Sequence, residues 1–94
     1  MVEIVNIINP MDRAIIKSFN VSKSGILKKE TIIKYVASSI RASEAAIAKR
    51  IETLCNDKKY LIRPKRGDYR INPDYNFEFP EGRMTAAIAF FRIE

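Results

Sequence analysis

Ser43-Glu44-Ala45-Ala46-Ile47-Ala48-Lys49-Arg50-Ile51-Glu52-Thr53-Leu54-Cys55-Asn56-Asp57 runs directly into Lys58-Lys59-Tyr60-Leu61-Ile62-Arg63-Pro64-Lys65-Arg66-Gly67-Asp68-Tyr69-Arg70-Ile71-Asn72. One periodicity gives way to another at that join. Ile47, Ile51, Leu54 and Cys55 recur at helical spacing and predict a helix over about 44–57, with Ala45, Ala48, Lys49, Glu52 and Asn56 on the opposite face. Ser43 suits the N-cap, and Glu44 falls in the first turn, where the helix dipole favours an acid. From Tyr60 onward two β-prone runs flank a Pro/Gly turn, which predicts a hairpin.

Upstream, Arg41-Ala42 makes a tight connection to a second helix beginning near Lys28. Ile32, Ile33, Val36, Ala37 and Ile40 form its apolar stripe, with Lys28, Lys29 and Lys34 outside it. Gly25-Ile26-Leu27 is long enough only for a bridging strand, after a loop over 22–25. Asn9-Pro10 is a strong helix start, because Asn caps, Pro is tolerated at the first helical position and Asp12 favours the positive end of the dipole. Met11, Ile15, Ile16 and Phe19 follow at helical spacing. Residues 2–8 are β-branched and apolar, which suits a short strand or an extended arm. After Pro73 the chain reads as a loop carrying Tyr75, Phe77 and Phe79. Residues 84–93 fit either a helix or an alternating strand, and their alanines favour helix.

The charge is concentrated. The 94 residues carry 17 Lys and Arg against 11 Asp and Glu, for a net +6. Residues 13–71 hold 15 bases and five acids, which makes that segment +10, and the segments on either side are −2 each. A base-rich module between acidic flanks is an electrostatic footprint for a polyanion. The absence of His removes the usual general base and zinc ligand, and one Cys allows neither an internal disulfide nor a Cys-rich metal site. No acid–base pair, nucleophile–base pair or phosphate-binding glycine loop is visible, so the expectation is a binding protein without enzymatic activity and without cofactors. No apolar run is long enough to span a membrane and none reads as a signal peptide, and an unpaired Cys suits a reducing compartment. An intracellular protein is expected. Arg66-Gly67-Asp68 and Asn20-Val21-Ser22 match an adhesion tripeptide and a glycosylation acceptor, and both are set aside because they need an extracellular setting.

The order helix, short strand, helix, tight turn, helix, hairpin resembles the plan of the winged helix-turn-helix DNA-binding superfamily. Leu27 to Ala37 resembles its second helix, Ser43 to Leu54 its recognition helix, and Tyr60 to Ile71 its wing. The turn carries Arg41-Ala42 where the family usually has Gly. The resemblance implies an α+β fold of three helices plus a β-hairpin wing over residues 10–72, within one domain spanning 1–94 with N- and C-terminal extensions. It also implies double-stranded DNA as partner and transcriptional regulation as role. A second, local resemblance joins Asp12 to Lys17 and Ala46 to Leu61 to the C-terminal winged-helix domain of cullins, the scaffolds of ubiquitin ligases, and implies protein contacts instead. No Lys stands at 18–20, near which the cullin modifier-accepting lysine would fall.

On the DNA reading, Ser43, Glu44, Ala45, Ala48 and Lys49 lie near the N-terminus of the groove-entering helix, where side chains reach base edges. Arg41 would sit by the backbone. Arg63, Lys65, Arg66 and Arg70 crowd the predicted wing, where cations suit phosphates or the minor groove. Arg50 borders the apolar stripe and is expected to pair with an acid, Cys55 to pack as a small hydrophobe, and Tyr60 and Tyr69 to pack across strands. The apolar load of residues 73–94 predicts either completion of the core with residues 2–8 or a homodimer through the C-terminal segment.

Overall fold

Asn9 starts the first helix as its type predicts. Its side-chain oxygen accepts the backbone N–H groups of Met11 and Asp12 at 2.8 and 3.2 Å, with Pro10 in the first turn. In this computed structural model, which describes residues 2–80, helix α1 spans Pro10–Ser18 and passes into a single 3-10 turn at Phe19–Val21. Strand β1 (Glu3–Asn6) precedes it. Strand β2 (Ile26–Lys28) leads straight into helix α2 (Lys29–Ser39), which has no side-chain cap at its start. Ser38 and Ser39 donate their hydroxyls to the Tyr35 carbonyl, and Ile40 is already extended. Ser43 then accepts from the Ala46 N–H at 3.1 Å and opens helix α3 (Glu44–Asn56).

The helices enclose the core. Ile15, Ile32, Val36, Ile47, Ile51 and Leu54 are fully buried together with Leu61 of the hairpin, and Tyr69 is nearly so. Burying each such aliphatic side chain contributes about 1.5–3 kcal/mol. Met11, Ile33, Ile40 and Cys55 pack around this centre half-buried. Ala37 is exposed, although its spacing placed it in the α2 stripe. A methyl group loses little by facing water, so the larger neighbours Ile32 and Val36 set the helix rotation.

After α3 the chain reverses at Lys59, whose φ of 64° lies in the left-handed region. Strands β3 (Leu61–Ile62) and β4 (Asp68–Ile71) form the expected hairpin, and β4 also pairs with β2, so the sheet order is β2-β4-β3, antiparallel throughout. At the hairpin tip the Asp68 N–H donates to the Lys65 carbonyl at 3.0 Å, and Gly67 supplies the φ of 85° that this turn needs.

The loop expected after Pro73 is instead a strand, β5 (Tyr75–Glu78), paired in parallel with β1 from Glu3↔Tyr75 to Asn6↔Glu78. The reason lies in the alternation of aromatic and polar residues. Tyr75 and Phe77 turn inward, with Phe79 beyond them, while Asn76 and Glu78 face solvent. Tyr60 meets Tyr75 and Phe77 edge-on, with ring centroids 5.2 and 5.1 Å apart. Arg13 on α1 holds the far end of the pair, its guanidinium donating to the carbonyls of Ile7 at 2.8 Å and Pro80 at 3.2 Å. Phe77 and Phe79 thus pack half-buried against the core beside the N-terminal strand. The segment 84–93 lies outside the described residues. The described residues form an α+β domain with three α-helices and two small sheets.

Candidate nucleic-acid interface

Helix α3 presents three different sides. Its core side is Ile47, Ile51 and Leu54. On a second side Arg50 reaches Asp12 in the first turn of α1 and donates Nε and an Nη to the two carboxylate oxygens at 2.6 and 2.7 Å. The acid expected for Arg50 is thereby identified. The hydrogen bonds from Arg50 to Asp12 and the nearby carboxylate charge raise its pKa, against a smaller opposing effect of burial.

The third side faces the hairpin through Glu52. Lys29 Nζ, at the start of α2, lies 2.6 Å from one carboxylate oxygen, and the Tyr69 hydroxyl donates to the same oxygen at 2.9 Å. Arg63 stands 3.9 Å from the other oxygen, with its guanidinium 5.9 Å from the centre of the Tyr69 ring, and Asn56 donates to that oxygen at 3.3 Å. The Lys29 hydrogen bond, then that of Tyr69, holds the Glu52 carboxyl below its usual range and outweighs desolvation. Burial first, and then the bond to Glu52, pushes the Tyr69 hydroxyl up. Glu52 therefore joins α2, α3, strand β4 and Arg63 just after β3. The sequence placed it only on the face opposite the apolar stripe.

The predicted contact residues separate into groups. Arg41 is exposed in the turn before α3. Ser43, Glu44, Ala45 and Lys49 are exposed on the first half of α3, with the Ser43 oxygen occupied by its capping bond, and Ala48 is half-buried. Lys49 borders a shallow depression of about 230 Å³ shared with Met11, Ala46, Arg50 and Thr53. Lys65 and Arg66 are exposed at the hairpin tip.

Arg63 and Arg70, close in sequence, fall on opposite faces of the sheet. Arg63 turns toward α3, over Tyr69. Arg70 shares its register position with Ile26 and Ile62 on the other face, and it borders a cleft of about 340 Å³ with Phe19, Asn20 and Ser24. Period-two alternation in β4 forces this, since Tyr69 points to the core. Two further cations join the region. Lys28 pairs with the buried Asp68 at 3.1 Å, and Lys29 pairs with Glu52. Their signal in the sequence was the short strand expected at Gly25-Ile26-Leu27, found as β2, whose pairing with β4 carries the start of α2 to the hairpin.

Among the described residues no group of three or more His, Cys, Asp or Glu is arranged to hold a metal ion, and no helix is long and apolar enough to cross a membrane. No family model, curated protein or solved structure matches the chain.

Proposed function

We propose that the chain is a winged helix-turn-helix protein that binds double-stranded DNA and regulates transcription. Helix α3 would enter the major groove, and the β3–β4 hairpin would act as a wing on the backbone or in the minor groove. One observation carries the reading: Glu52 on α3 bonds the Tyr69 hydroxyl and lies near Arg63, so that the helix and the hairpin are joined side by side, and on this reading Lys49 of the helix and Lys65 and Arg66 of the hairpin tip would serve one surface. Each of these three cations is exposed and lacks an ion pair to a described residue. Ala45 and Ala48 support close approach of the helix to base edges and contact with thymine methyls, and Arg41 suits a phosphate beside the groove.

The proposal includes a homodimer, which would set two copies of α3 against two half-sites. Val2, Ile4 and Ile8 support self-association, because they stand exposed on β1 and on the residues that flank it. Sedimentation at tens of micromolar reads this directly, and a monomer counts against it.

The decisive test is binding to random duplex DNA across a salt series. Affinity should fall steeply as salt rises, and Lys65→Glu with Arg66→Glu should flatten the slope of log K against log salt by about two, one unit for each phosphate no longer neutralised. Lys49→Ala should weaken some sequences more than others. Absence of binding at low salt removes the DNA reading and leaves a module for protein contact.

A further inference from the structure

We infer that Glu52 is an intramolecular competitor for phosphate: it pairs with Lys29 and Arg63 and so opposes their contact with a nucleic-acid backbone, which limits sequence-independent binding. The inference rests on the DNA-binding reading and adds a positioning residue to that surface.

The argument starts from what Glu52 can and cannot do. Its side chain is about a third exposed, as is that of Lys29, and Arg63 is more exposed still. Ion pairs in such settings exchange readily with competing anions. The carboxylate itself is fixed, because the buried Tyr69 and the next-turn Asn56 both donate to it. Lys29 and Arg63 have long, mobile stems and can swing from Glu52 to a phosphate oxygen. Glu52 cannot swing away, and its charge remains in the interface to repel any phosphate that the two cations do not bridge. Lys65 and Arg66 make no ion pair with a described residue, and the nearby Asp68 pairs with Lys28, so the surface contains two kinds of cation: free ones at the tip and encumbered ones beside α3.

Glu52→Gln tests this, since Gln keeps an acceptor for the Tyr69 hydroxyl and removes the charge, at the cost of a donor facing Asn56. At about 100 mM salt the variant should bind random duplex roughly five- to tenfold more tightly, with a salt slope steeper by up to about two as Lys29 and Arg63 each neutralise a phosphate. Unchanged affinity and slope in a variant with the wild-type circular dichroism spectrum overturns the inference. Lys29→Ala with Arg63→Ala gives a second route that does not depend on the Gln variant folding. This pair should cost wild type less than about threefold, well below the loss from Lys65→Glu with Arg66→Glu, and an equal loss overturns the inference.

Inorganic polyphosphate, run beside the duplex, separates the two readings. If only polyphosphate is bound, and more tightly by Glu52→Gln, the competitor stands and the DNA function falls. If wild type and Glu52→Gln bind duplex equally, the DNA function stands and the competitor falls.

Discussion

Arg50 and Glu52 stand two positions apart on α3, and their ion pairs differ in kind. The Arg50–Asp12 pair is bidentate, and the Asp12 side chain is only 8% exposed, so both carboxylate oxygens are committed within the fold. The Glu52 side chain is 35% exposed, and its cations reach it from two flexible stems. Where one partner is removed from water, as Asp12 is although Arg50 stays 31% exposed, the pair is held by the cost of separating it. A charge pair in water is held by little more than proximity, and it can be traded. One side of α3 is therefore fastened to α1 as structure, and the other side meets the hairpin through contacts that a ligand can rearrange.

The comparison breaks most visibly at Asp12. Asp12→Ala leaves a guanidinium without its partner and removes an acid from the first turn of α1. A loss of about 2–3 kcal/mol is expected, which for a domain of this size lowers the melting temperature by roughly 10–15 °C. A drop of only a degree or two would place the Arg50 pair in the same class as the Glu52 cluster. The contrasting variant is Tyr69→Phe, which removes one hydroxyl from the carboxylate and leaves the ring in the core. It should cost about 1 kcal/mol, read by chemical denaturation. A cost as large as that of Asp12→Ala would make the hairpin junction as rigid as the junction with α1.

Local chemistry made much of this legible in the sequence. Asn9-Pro10 and Ser43 fixed two helix starts because capping depends on a few neighbouring atoms. The spacing of Ile47, Ile51 and Leu54 named the buried side of α3, and the position of Arg50 beside that stripe was enough to expect an acid partner. What stayed hidden depended on distant pairing. The five residues from Tyr75 to Phe79 alternate as a strand should, but their partner at Glu3–Asn6 lies some seventy positions away, and three aromatics in a short run also fit a loop. Arg63 and Arg70 looked like one cluster because sequence distance ignores which face of a strand a residue occupies. Glu52 looked like a solvated acid, because its partners Lys29 and Tyr69 come together only when β2 pairs with β4.

The smallest effect is also the most specific. The ionised form of Glu52 is favoured in the folded chain, first by Lys29 and then by Tyr69, so its carboxyl titrates below the usual range. A group with a lowered folded value stabilises the fold fully above its unfolded value, about 4.3 for Glu, and that contribution is lost as pH falls through the lower folded value. Wild type should therefore exceed Glu52→Gln in stability at pH 7 by a few tenths of a kcal/mol, a modest gap because the cluster is open to water. The gap should stay level from pH 8 to pH 5, since the chain has no His to titrate there, and should close below about pH 4. Taking the difference between the two proteins cancels the other carboxylates, which titrate alike in both. A gap that persisted at pH 2 would mean that Glu52 acts through packing and not through charge, and the exchangeable side of α3 would then be as structural as the side that holds Arg50.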